Sequence, residues 1–113
     1  MQDCIFCKIG RKEIGRLVYE DDTVAAFDDL SPQAPTHVLI IPKKHIAQLA
    51  VVATDDLAVI SHIIEVANAL ANDRGIAASG YRVVVNNGRA AGQSVDHLHF
   101  HLLGGRPMTW PPG

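Results

Sequence analysis

The chain has 113 residues and a mass of 12.2 kDa, a length for one domain rather than two. With 48% apolar and 19% charged residues and a mean hydropathy of +0.12, it has the balance of a folded globular protein and not of a disordered one. Ten Lys and Arg against twelve Asp and Glu leave a formal net charge of −2, which excludes a strongly basic nucleic-acid footprint and a polybasic membrane anchor. No apolar run reaches membrane-spanning length, and the opening Met1-Gln2-Asp3-Cys4 lacks the basic segment of a secretion signal. A soluble cytoplasmic domain over residues 1–113 is expected, with no nucleic-acid or membrane partner.

In chain order, Cys4 to Gly10 mixes Ile5, Phe6 and Ile9 with Lys8 and reads as a short helix or ordered loop. Arg16–Glu20 and Val24–Asp28 are β-type runs joined by Asp21-Asp22-Thr23, a connection suited to a hairpin. Ser31 to Pro35 is a loop, because its prolines remove the donors a strand ladder needs. His37–Ile41 is a third β-type run, stopped by Pro42. From Thr54 the period changes. Thr54 is the expected N-cap, and Leu57, Ile60, Ile63, Ile64, Ala67, Leu70 and Ala71 recur at helical spacing until Arg74-Gly75 ends the helix. Tyr81–Val85 and Asp96–Leu103 complete a set of five strands, separated by a flexible Asn86–Gly92 loop. The predicted fold is α+β: a five-stranded, mainly antiparallel sheet with one long helix across a face.

Two clusters carry chemistry. Cys4 and Cys7, three positions apart with no secretion signal, point to a metal half-site or a redox pair rather than to a disulfide framework. In Asp96–Leu103, the two-residue period of a strand sets His97, His99 and His101 on one face and Leu98, Phe100 and Leu102 on the other. A row of imidazoles backed by a core suits either a metal site or a histidine nucleophile with supporting neighbours. Gly92-Gln93-Ser94-Val95, immediately upstream, offers small hydrogen-bonding groups of the kind a phosphate needs.

Gln93-Ser94-Val95-Asp96-His97-Leu98-His99-Phe100-His101-Leu102-Leu103 matches the Q-x-V-x-H-x-H-x-H-φ-φ signature of the histidine triad (HIT) superfamily and most resembles its Hint branch. The likeness extends through Phe27 to His37, Ile41 to Ile46, Gly80-Tyr81-Arg82, Val85-Asn86, Gly104-Gly105-Arg106 and Trp110-Pro111-Pro112-Gly113. The resemblance implies hydrolysis of the P–N bond of purine nucleoside 5′-phosphoramidates, with His99 as nucleophile and His101 donating to the phosphate. It also implies that His37 supports the triad and that Ser94 lies near the phosphate and the leaving amine. Gly92, Gln93 and Asn86 would flank the phosphate, Asp29 would accept the ribose hydroxyls, and Ile5, Phe6, Phe27 and Leu30 would form the base slot. By the same resemblance Cys4, Cys7, His45 and His97 match the ligands of a structural Zn2+ that catalysis does not require, and the protein is a homodimer. A dinucleoside polyphosphate hydrolase, and a nucleotide-binding interaction module with incidental catalysis, are the alternative readings.

Overall fold

A computed structural model describes residues 3–113. The predicted architecture is present: five strands in the order β1-β2-β3-β5-β4, every neighbouring pair antiparallel. The strands are β1 (Tyr19–Glu20), β2 (Val24–Asp28), β3 (Thr36–Pro42), β4 (Tyr81–Val85) and β5 (Phe100–Gly104); the helices are α1 (Ile5–Gly10) and α2 (Leu57–Asp73). Strand alternation divides the core into two layers. Val24, Ala26, Val38, Ile40, Phe100 and Leu102 face α2, where they meet Ile63, Val66, Ala67, Leu70 and Ala71. Ala25, Phe27, Leu39 and Ile41 face the other way and pack against Phe6 of α1. Central β3 is buried at all seven positions, as both layers require.

The β1–β2 turn closes through Asp21, whose Oδ1 accepts from the backbone N–H of Thr23 and Val24, both at 2.9 Å. Helix α2 ends as predicted: Arg74 caps it, and Gly75 adopts φ 72°, a value that favours glycine.

Four boundaries differ from expectation. Arg16 to Val18 do not belong to β1: Gly15 has φ 74°, and the ladder with β2 starts only at Tyr19 opposite Ala26. The ladder ends there, although the Val18 N–H still donates to Ala26 O, and Gly15, Arg16 and Val18 line the cavity described below. Pro42 does not stand outside β3 but is its last residue, paired with Val24, where a missing N–H is tolerated. Strand β5 starts at Phe100 rather than Asp96. Pro42 has no N–H to offer at the next rung, and the Leu98 N–H donates instead to the Ile46 carbonyl at 2.7 Å. Thr54 is not an N-cap: Thr54–Asp56 forms a short 3₁₀ turn, and the Asp56 carboxylate accepts from the N–H of Ala53 at 3.4 Å and from Lys44 Nζ at 2.8 Å. Leu57 and Ile64, counted with the buried stripe of the helix, are instead 55% and 53% exposed.

Candidate active site and metal centre

The sheet face opposite α2 carries a cavity of about 410 Å³. Its floor follows from register. Phe27 of β2 lies opposite Leu39 of β3, and Leu39 lies opposite His101 of β5. Val18, whose N–H donates to Ala26 O at 2.8 Å, lies at the β1 end of this row. All four residues line the cavity. Ile5, Phe6 and Ile9 of α1 form a wall, and Asp29, Leu30, Ser94 and His99 complete the rim together with Gly15, Arg16 and Asp28. Phe6 packs edge-on against Phe27 and His99, with centroids 5.2 and 5.1 Å away.

The hydrogen bonds assign the imidazole protons. His99 Nδ1 lies 2.7 Å from the carbonyl of His97, an acceptor only, so Nδ1 carries the proton and Nε2 keeps its lone pair. His37 Nδ1 accepts from the Gln33 N–H at 3.0 Å, which places the His37 proton on Nε2. Nε2 donates to His101 Nδ1 at 2.9 Å and leaves His101 with an Nε2–H. The cavity is thus lined by one imidazole with a free lone pair and another with a free N–H. Burial, followed by the facing His99 and His37, pulls the His101 pKa down to about 4, and it is neutral at pH 7. Asp29 is fixed by the Ser31 N–H on Oδ1 at 2.8 Å, while its Oδ2 lies 3.5 Å from His37 Nε2.

Behind the triad, Cys4 Sγ lies 3.3 Å from His97 Nδ1, and Cys7 Sγ lies 3.3 Å from His45 Nδ1 and 3.5 Å from His97 Nδ1. All four donor atoms fall within 4.8 Å of one another. His97 Nε2 donates to the Pro42 carbonyl at 2.8 Å, which aims the Nδ1 lone pair at the two sulfurs. Two thiols and two such imidazoles suit Zn²⁺. Tetrahedral Zn–S and Zn–N bonds of about 2.3 and 2.0–2.1 Å hold sulfur and nitrogen roughly 3.5 Å apart, close to the observed spacing.

The structure therefore brings Ile5, Phe6, Phe27, Asp29, Leu30, Ser94, His99 and His101 to one cavity, with His37 directly behind His101. It gathers Cys4, Cys7, His45 and His97 in a separate cluster. Asn86, Gly92 and Gln93 do not line the cavity. Gln93 is a buried staple of the preceding loop: its Nε2 donates to Ala47 O and Val95 O, and its Oε1 accepts the Gly88 N–H. Sequence reasoning missed Ile9, Gly15, Arg16, Val18, Asp28 and Leu39. The alternation of β2 and β3 signals Leu39, but nothing local signals that the segment before β1 brings Gly15, Arg16 and Val18 to the cavity.

The HIT domain family matches residues 11–108, and the chain belongs to that family. It is 48% identical over 108 residues to the purine nucleoside phosphoramidase of Escherichia coli (strain K12), covering 95% of this chain and 91% of that protein. It is 49% identical over 112 residues to a 14 kDa zinc-binding protein of Zea mays, covering 96% of this chain and 87% of that one. The crystal structure of a HIT family hydrolase from Legionella pneumophila superposes with a TM-score of 0.96 at 52% identity, covering 98% of this chain and all of the other.

Proposed function

We propose that this HIT hydrolase is a purine nucleoside phosphoramidase that cleaves the P–N bond of nucleoside 5′-phosphoramidates through a nucleotidyl intermediate on His99. The observation that carries the reading is the His99 ring, whose Nδ1 proton is held by the His97 carbonyl while Nε2 is left as a nucleophile at the cavity. The phosphoramidase relative in Escherichia coli supports the choice of bond. In the first step His99 Nε2 bonds to phosphorus, the P–N bond to the amine breaks, and the departing amine takes up a proton from solvent water beside the Ser94 hydroxyl. In the second, water bonds to phosphorus, the bond to His99 breaks, the water proton passes to solvent and the nucleoside monophosphate leaves. The Nε2–H of His101 stabilises charge on the phosphoryl oxygens, and His37 is the positioning residue that keeps that proton outward. Asp29, an acceptor with one oxygen already fixed, takes the ribose hydroxyls, and Ile5, Phe6, Phe27 and Leu30 hold the base. Gly92, Gln93 and Asn86 act on the phosphate only through the loop that sets Ser94.

Cys4, Cys7, His45 and His97 hold a structural Zn²⁺, which when bound ties α1 to the triad strand. The chain works as one domain, as a homodimer, and in the cytoplasm, where a reducing environment keeps zinc-binding thiols reduced.

The test is hydrolysis of adenosine 5′-phosphoramidate by the parent and by His99→Asn, with and without brief chelation. The parent releases AMP with or without chelator, and the variant is at least about 10³-fold slower. Turnover of dinucleoside polyphosphates but not of the phosphoramidate assigns the chain to the other hydrolase reading. Nucleotide binding with no turnover of either assigns it to an interaction module.

A further inference from the structure

The cavity has a phosphate end and a base end, and the base end carries a side chain with no role so far. Across the floor, His101, Leu39 and Phe27 lie side by side on β5, β3 and β2, and Val18, tied to Ala26 O just before β1, continues the row, three spacings or about 14 Å in all. His99, His101 and Ser94 mark one end, and Asp29 follows the end of β2. A nucleotide with its phosphate at the histidines and its ribose at Asp29 therefore extends its base over Phe27 toward Val18 and Arg16.

Among the described residues, Arg16 is the only Lys or Arg lining the cavity. Arg11, Arg74, Arg82 and Arg106 donate to Glu13, Asp28, Thr109 and Gln33 respectively. Arg16 makes no such hydrogen bond or ion pair among the described residues; Arg89 makes none either, but it does not line the cavity. The one acid in the described lining besides Asp29, Asp28, is held by Arg74 at 2.9 Å. The rest of the base end is Ile5, Phe6, Ile9, Val18 and Leu30, which offer no side-chain hydrogen bond.

We infer that Arg16 is a specificity-determining residue: its guanidinium reads the base edge, and the chain takes guanosine 5′-phosphoramidates ahead of adenosine ones. The chemistry is that of a fork of donors. Guanine presents O6 and N7 side by side as acceptors, and a guanidinium meets both at once. Adenine presents N7 beside an N6 amino group, a donor facing donors, so one of the two contacts is lost. The inference rests on the phosphoramidase reading for the kind of bond cleaved, but base selection itself is readable in binding alone.

The experiment is calorimetric titration of the parent, Arg16→Ala and Arg16→Lys with GMP and with AMP, followed by kcat/KM for guanosine and adenosine 5′-phosphoramidates. The parent is expected to prefer the guanine ligand roughly five- to tenfold. Arg16→Ala brings the ratio close to one, and Arg16→Lys, which keeps the charge but not the fork, recovers little of it. Arg16 lies on the surface, so the variants fold. A ratio near one in the parent, a ratio unchanged in Arg16→Ala, or full recovery by lysine overturns the inference, as does failure to bind either nucleotide. Selective binding of GMP with no hydrolysis of either phosphoramidate leaves base selection standing and removes the phosphoramidase reading.

Discussion

His101 is kept neutral by what surrounds it, and that carries a stability cost in acid. A histidine in an unfolded chain titrates near about 6.5, whereas burial and the facing His99 and His37 lower His101 to about 4. Between those values the unfolded chain takes the extra proton and the folded chain does not. The stability contributed by His101 is therefore complete above about pH 6.5 and lost as pH falls through about 4. His97, lowered to about 4 by burial, adds the same sign once metal is removed. His62 has the opposite sign: hydrogen bonds to Asp21 and Glu65 raise its pKa, so its contribution is present below about 6.5 and fades as pH rises. We expect the thermal midpoint of the metal-free protein to fall steadily from pH 6.5 to 4, with a shallower slope in His101→Gln. Calorimetric scans at half-unit intervals check this. An equal slope in parent and variant would show that the proton is taken up elsewhere.

Among the elements, α1 is short, six residues with Phe6, Cys7 and Gly10 buried, yet Ile5, Phe6 and Ile9 make a wall of the cavity. The Cys4–Cys7–His45–His97 cluster ties that wall to the segment leading into β5. Removing zinc by prolonged chelation, or substituting Cys7→Ser, is expected to lower the thermal midpoint by about 10 °C or more and to raise KM for a phosphoramidate substrate more than it lowers kcat. Metal analysis beside steady-state kinetics checks it; loss of the metal with KM unchanged would mean that α1 holds its place by packing alone. The same element shows how far the sequence was legible. The Cys4/Cys7 pair and the triad row were readable because helical and strand periods are local: Cys4 and Cys7 are one turn apart, and His97, His99 and His101 alternate with Leu98, Phe100 and Leu102 even before β5 begins, whereas the place of His45 beside them came only from the family resemblance. Arg16 and Val18 were not readable as cavity residues, because they lie just before β1 in a segment placed by tertiary packing, which has no local period. Gln93 shows a different limit: its place in the signature was plain, but its turn inward to hold Ala47, Val95 and Gly88 depends on segments far apart in the chain.

For the whole molecule, the question is what the second face of α2 is for. Five residues of the helix enter the core, whereas Leu57 and Ile64, two helical turns apart and hence on one side, stay more than half exposed. Strand β4 is an edge of the sheet, with Val83 43% exposed at its centre. An open edge and an apolar helix face are both surfaces that a small domain ordinarily covers. Among the described residues no helix is long and apolar enough to cross a membrane. A second copy of the chain would cover both surfaces economically: two β4 edges pairing about a two-fold axis would continue the sheet through both subunits, with each α2 meeting its equivalent. Sedimentation equilibrium at micromolar concentration should therefore give twice the 12.2 kDa chain mass. The double variant Leu57→Asp, Ile64→Asp, which buries two charges in such an interface but leaves the folded subunit's core untouched, should shift the protein to monomer with its far-UV circular dichroism retained. A parent that sediments at the mass of one chain, or a double variant that remains dimeric, would show that α2 and β4 do not form the contact.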